Sequence, residues 1–236
     1  MIERGLLHRI GGAGGLGLVL TNTPWNDRMS SVGIVPVVPA AAADHPYAAA
    51  LGPGLALDAS RLVSLPRAAV GDAVAMADDD AIHTLERHLA ALLDLDRLLD
   101  DPPRSARPPA GPIDYPRAGD VHYLAGRLGG AEAKRYAVLS RDAWNRASGR
   151  VLAARTTSRI KRAHGDIVPV AGGASRVICA ELAAVPAAMV ELRRRPADQR
   201  RLGLGDRVAV ARGLVDAFVL RDHLAPADRA LLDPAD

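Results

Sequence analysis

Aromatic residues are scarce in this chain of 236 residues: one Phe, two Trp and four Tyr make up 3% of it. Cysteine is scarcer still, and the single Cys179 excludes both an intrachain disulfide and a multi-cysteine metal site. Its setting, "RVICAEL", is that of a buried apolar thiol and not of a nucleophile. No apolar run reaches the roughly 18 residues that span a bilayer, and "MIERGLLHRI" is broken by charge too early for a secretory signal. The expectation is a cytoplasmic protein without a membrane partner, a cofactor or a bound metal. Lysine is nearly absent as well, with two against 28 arginines.

What is present fits a soluble globular chain: 49% hydrophobic and 24% charged residues, long enough for two domains of about 100 residues each. The net charge of +3 conceals an asymmetry. Residues 1–103 hold seven arginines and no lysine against 13 acidic side chains, a net of −6, and the remainder holds 23 basic against 14 acidic residues, a net of +9. The C-terminal half therefore suits a polyanion or an acidic partner.

The segment from Asp100 to Asp120 is rich in Pro and without apolar periodicity. It reads as a linker over residues 101–117, dividing units at 1–100 and 118–236. The same order of elements stands on either side. "RGLLHRI", "LGLVLTN" and "VGIVPVVP" read as strands in the first unit, as do "AGDVHYL", "RYAVLSR" and "GRVLAARTT" in the second. "LALDASRLVSLP" matches "SRVICAELAAVP", with Leu62 equivalent to Leu182 and Pro66 to Pro186. Each unit closes on a helical pattern, "DDDAIHTLERHLAALLDL" with acids at its start and "LGLGDRVAVARGLVDAFVL" with Asp206. "VLTNTPWNDR" and "VLSRDAWNRA" set Val-Leu, a small hydroxyl residue and Trp-Asn at one spacing, and Trp25 and Trp144 are the chain's only tryptophans. In the second unit this stretch, Val138 to Ser158, reads as two strands joined by a turn. The pattern predicts a mainly β protein, two small tandem β-barrels each with a C-terminal helix.

The second unit resembles the MazF/PemK toxins of the MazF and CcdB superfamily. The resemblance is carried by "GDVHY" (119–123), by "KRYAVLSRDAWNRASGRVLAARTTS" (134–158) and by "SRVICAELAAVP". It implies an SH3-like barrel acting as a sequence-selective, metal-independent endoribonuclease on single-stranded RNA. It also implies homodimers, or here an internal pseudo-dimer of the two units, and an acidic antitoxin peptide as partner. In the family a basic side chain at the start of one strand and a Thr or Ser at the end of the next do the chemistry. The hydroxyl falls on Thr157, with Thr156 beside it, and the basic group on Lys134 or its neighbour Arg135. First-unit positions equivalent to Lys134 and Thr157 are Gly15 and Val38, which can neither move a proton nor bind a phosphate. The expectation is one active site per chain, beside a first unit that keeps only the scaffold.

Glu132 is the candidate for general acid-base help, with His122 and His164 as further titratable groups nearby. The run "RTTSRIKRAH" places Arg155, Arg159, Lys161 and Arg162 around the hydroxyl pair, where a phosphate backbone can lie, and His122 completes the candidate RNA contacts. Both lysines of the chain, Lys134 and Lys161, fall in this region. Rings for base stacking are few there: Tyr123, Tyr136 and Trp144. A second basic cluster, Arg193 to Asp206, is read as a source of long-range attraction only. The alternative to an enzyme is a non-catalytic RNA- or protein-binding module on the same scaffold. Gyrase poisoning of the CcdB kind needs a Trp near the C-terminus, and this tail reads "RALLDPAD".

Overall fold

The computed structural model describes residues 2–11, 15–43, 45–95, 115–124, 134–158, 167–190 and 200–232. Most of the Pro-rich stretch lies outside these residues, as do Glu132, Arg159, Lys161, Arg162, His164 and the first half of the Arg193–Asp206 cluster.

The described chain is mainly β. The first sheet is built from β1 (Leu6–Ile10), β2 (Gly15–Val19), β3 (Ser31–Pro39), β4 (Ala48–Ala50), β5 (Leu55–Asp58), β6 (Val63–Pro66) and β7 (Val70–Met76). Its order is β4-β5-β3-β2-β1-β7, with β6 also paired to β3. The second sheet comprises β8 (Asp120–Tyr123), β9 (Arg135–Val138), β10 (Arg150–Thr157), β11 (Ile167–Val170), β12 (Ser175–Pro186) and β13 (Arg200–Arg201), in the order β11-β12-β10-β9-β8-β13. The two orders correspond strand for strand, the long β12 taking the places of β5 and β6. Every described pairing is antiparallel.

The helices are α1 (Thr23–Asn26), α2 (Asp79–Leu92), α3 (Asp142–Ser148), α4 (Leu204–Phe218) and α5 (Pro226–Leu232). The N-cap Asp78 starts α2 by accepting the Ala81 N–H at 2.7 Å, and Asp79 and Asp80 complement the positive end of the helix. Ala81, Leu85, Leu89 and Leu92 then bury one face. The segment between β9 and β10, expected to be a plain turn, contains a short helix. Asp142 begins it, Trp144 and Asn145 supply its buried face, and Gly149 in the left-handed region (φ 64°) stops it.

The Trp-Asn frame now has a physical reason. Asn26 accepts from the Thr21 hydroxyl at 2.6 Å and donates to the carbonyls of Thr21 and Ile2, while Thr21 Oγ1 accepts the Gly33 N–H. In the other half Asn145 accepts from Ser140 Oγ at 2.5 Å and donates to the carbonyls of Ser140 and Pro116, while Ser140 Oγ accepts the Leu152 N–H. Each Asn is buried and ties a strand end, a short helix and the next strand together.

The halves share a core. Leu18, Leu57 and Leu85 belong to one buried cluster with Leu152, Leu182 and Phe218. The Ala184 N–H donates to the Leu62 carbonyl at 2.7 Å. Each long helix also ends against the opposite half: the Leu92 carbonyl accepts the Arg141 N–H, and the Ala217 carbonyl accepts the Asn22 N–H. Among the described residues no helix is long and apolar enough to cross a membrane.

Candidate functional site

The sequence candidates that the structure describes gather where β9 begins and β10 ends. The ladder between these strands pairs Ala153 with Val138, Ala154 with Ala137 and Arg155 with Tyr136. Continued in the same register, it sets Thr156 opposite Arg135 and Thr157 opposite Lys134. A hydrogen bond from Thr156 Oγ1 to the Arg135 carbonyl, 3.1 Å, agrees with that continuation.

Because side chains alternate along a strand, this register sorts the candidates onto two faces. Lys134, Tyr136, Arg155 and Thr157 fall on one face, and Arg135 and Thr156 on the other. Arg135 is engaged on its own side: Nε donates to the Tyr123 hydroxyl at 2.8 Å, and the guanidinium lies 5.0 Å from the centroid of that ring. Lys134 is half-buried and makes no hydrogen bond or ion pair among the described residues.

On the other edge of β10, Thr157 lies opposite Arg176 of β12. Between Ala154 and Thr156 the register with β12 slips, so that Ala154 faces Leu182 while Thr156 faces Val177. Residues 178–181 leave this ladder, and Glu181 from that irregularity holds Arg155 Nη1 at 3.0 Å. Burial pushes the Tyr136 phenol above its ordinary pKa, with Arg155 pulling it down and Glu181 pushing it up. Neither Glu181 nor Arg176 was singled out in the sequence, because their proximity depends on where the slip falls. An acidic residue inside an otherwise apolar strand, "VICAELAAV", is the only signal that Glu181 leaves.

His122 is buried, and its Nε2 stands 3.6 Å from Asp120 Oδ2, a carboxylate that also accepts the Arg117 N–H and lies 3.5 Å from Arg201 Nε. Its backbone pairs with Tyr136. The ring therefore sits inside the sheet's packing, one strand removed from β10.

The first sheet carries the same backbone with other chemistry. Val37 faces Leu57 and Val38 faces Ala56, as Thr156 faces Val177 and Thr157 faces Arg176. Val38 packs with Ala43 and Ala56 in a small apolar cluster, beside an open cavity of about 560 Å³ lined by Ala40, His45, Pro46 and Leu55 among others. A hydroxyl and cation on one sheet correspond to two methyl-bearing side chains on the other. The β9–β10 end thus brings together one ammonium, one threonine hydroxyl and two guanidiniums, of which Arg155 is partly neutralised by Glu181, a set of groups whose chemistry suits an oxyanion. A group with metal-ligand chemistry lies elsewhere, at His83, Glu86 and His223.

No protein-family model and no curated protein matches the chain. Among solved structures it is similar to a mycobacterial endoribonuclease determined in complex with its cognate antitoxin, at 20% identity over 37% of this chain and 90% of the other, with a TM-score of 0.35. It is similar to a MazE-MazF structure from Deinococcus radiodurans at 23% identity, 44% and 94% coverage and a TM-score of 0.35. A third similarity is to the Mycobacterium tuberculosis toxin MazF-mt6, at 11% identity, 36% and 92% coverage and a TM-score of 0.32.

Proposed function

We propose that the chain is a metal-independent endoribonuclease of the MazF/PemK kind, a tandem protein whose second unit, residues 118–236, cleaves single-stranded RNA and whose first unit, residues 1–100, serves as a pseudo-subunit. The observation that carries this reading is the register that pairs Arg155 with Tyr136, which, continued to the end of β10, sets Thr157 opposite Lys134 where the first sheet has Val38 and Gly15. The resemblance over residues 119–186 supplies the reaction class.

In such a reaction the RNA 2′-hydroxyl gives up its proton and attacks the adjacent phosphate, the bond to the 5′-oxygen breaks, that oxygen takes up a proton and leaves as a 5′-hydroxyl, and a 2′,3′-cyclic phosphate remains. The protein supplies charge stabilisation and proton transfer. Lys134 stabilises the negative charge that develops on the non-bridging oxygens, a contribution of about 3 to 4 kcal/mol for a well-placed donor. Thr157 Oγ1 hydrogen-bonds the same phosphate. Arg176 and Arg155 bind flanking phosphates, with Arg159, Lys161 and Arg162 as further RNA contacts, whereas the buried His122 packs within the sheet. Glu132 takes the proton of the attacking hydroxyl, and Arg135 and Thr156 hold the strand in register. An acidic antitoxin segment occupies the same cationic face.

A non-catalytic binding module is the second reading. It is favoured by one observation: Glu181 already neutralises Arg155, and Arg135 is turned onto Tyr123, so two cations are spent within the fold. Incubation with end-labelled single-stranded RNA in EDTA at low salt separates the two readings. Discrete cuts ending in cyclic phosphate, abolished in T157A, establish the enzyme. Intact RNA with salt-sensitive binding establishes the module.

A further inference from the structure

We propose that His83, Glu86 and His223 form a zinc site that fastens the segment after α4 to α2. His83 and Glu86 lie three residues apart on α2 and so share one face of it. His223 ends the 3-10 turn Arg221–His223, which follows α4. One ligand atom from each of the three lies within 4.8 Å of the others. His223 Nε2 is 2.9 Å from Glu86 Oε2, and the two imidazole rings have centroids 4.4 Å apart. Zinc bonds of about 2.0–2.2 Å in tetrahedral geometry set ligand atoms roughly 3.3–3.5 Å apart, so small side-chain rotations complete the set.

The donor chemistry selects the ion. Two imidazole nitrogens and one carboxylate oxygen suit zinc, whereas magnesium and calcium take oxygen ligands and copper(I) takes sulfur. His83 is exposed, which leaves the fourth position open to water.

Glu86 sets which charge an ion must displace. Its carboxylate is buried, and its charge is met by the Arg4 guanidinium on one side and by His223 on the other. The Arg4 side chain is 25% exposed, so it has a path into solvent when a divalent ion replaces it as the counter-charge. Arg4 and zinc therefore compete for Glu86. His223 lies so far along the chain from His83 and Glu86 that only the folded chain assembles the set, and binding stabilises that fold. For the same reason the sequence expectation of no metal had nothing to contradict it.

The test uses the full chain after chelator treatment. Saturating zinc is expected to raise the melting temperature by about 5 °C. Cobalt(II) is expected to give the intense visible absorption of a tetrahedral site, bleached by zinc. H83A, altered at an exposed position, keeps the ion-free melting temperature and loses both responses. R4Q removes the competing guanidinium and binds zinc roughly tenfold more tightly. An unshifted wild-type melting temperature, or equal responses in wild type and H83A, overturns the proposal. R4Q binding more weakly than wild type overturns the competition between Arg4 and the ion.

Discussion

Phe218, in the last turn of α4, lies so close over Gly33 of β3 that a β-carbon on Gly33 would sit 2.9 Å from its Cε1 and 2.7 Å from Thr21 Cγ2. The only phenylalanine of the chain is fully buried against the opposite half. G33A is therefore expected to cost about 1–3 kcal/mol through overpacking, and F218A about 3–5 kcal/mol through the cavity it leaves. Urea unfolding of the two variants checks both figures. A neutral G33A would mean that the halves do not press together here.

Val219 caps α4 in the left-handed region, at φ 57°, with 40% of its surface exposed. A β-branched side chain is strained there and leaves a large share of its apolar surface in water. V219G is expected to stabilise the protein by about 1 kcal/mol, seen as a higher denaturant midpoint with an unchanged slope.

The two faces of the β9 line make a contrast between neighbours. On the proposed function, K134A lowers RNA cleavage by at least about a hundredfold while leaving the melting temperature unchanged. R135A acts mainly on stability, by breaking the hydrogen bond and ring contact with Tyr123. Parallel cleavage and thermal-melt measurements distinguish them, and equal losses of cleavage would reject the register argument.

Glu181 restrains Arg155. E181Q is expected to tighten binding of single-stranded RNA several-fold at low salt and to steepen the salt dependence by about one counterion, because a further cation becomes available to phosphate. An unchanged slope would mean that Arg155 does not face the RNA.

Burial raises the Tyr136 phenol, so the folded chain holds that proton to higher pH than the unfolded chain does. The stability linked to it is fully present below the unfolded value of about 10 and is lost as pH rises through the folded value. Y136F is expected to flatten this alkaline loss, which thermal melts between neutral pH and pH ~11 measure.

Much of the fold was legible because hydrophobic alternation and capping are local signals. The strands from Leu6 to Pro39 and from Arg150 to Thr157 followed from β-branched runs, and α2 from Asp78 and the spacing of Leu85, Leu89 and Leu92. The helix α3 escaped because seven residues leave little room for a period, and Asn145 gives no sign in sequence that its amide spans three elements. β7 escaped for a different reason. Its residues from Gly71 to Met76 are exposed, so neither face imposes an alternation. At the site, the hydroxyls of Thr156 and Thr157 and the cations near them were readable as residue types. Which of them share a face was not, because that depends on the single register that pairs Arg155 with Tyr136.

The exchange of carbonyls between the halves, Leu92 to Arg141 and Ala217 to Asn22, also orders events in time. A ribosome delivers Asn22 and Gly33 long before it delivers Ala217 and Phe218. The N-terminal sheet must therefore wait, with part of its apolar surface uncovered, until the last long helix leaves the exit tunnel. Closure of the earliest strands is thus among the latest steps, a high-contact-order topology that slows folding and exposes the nascent chain to chaperones.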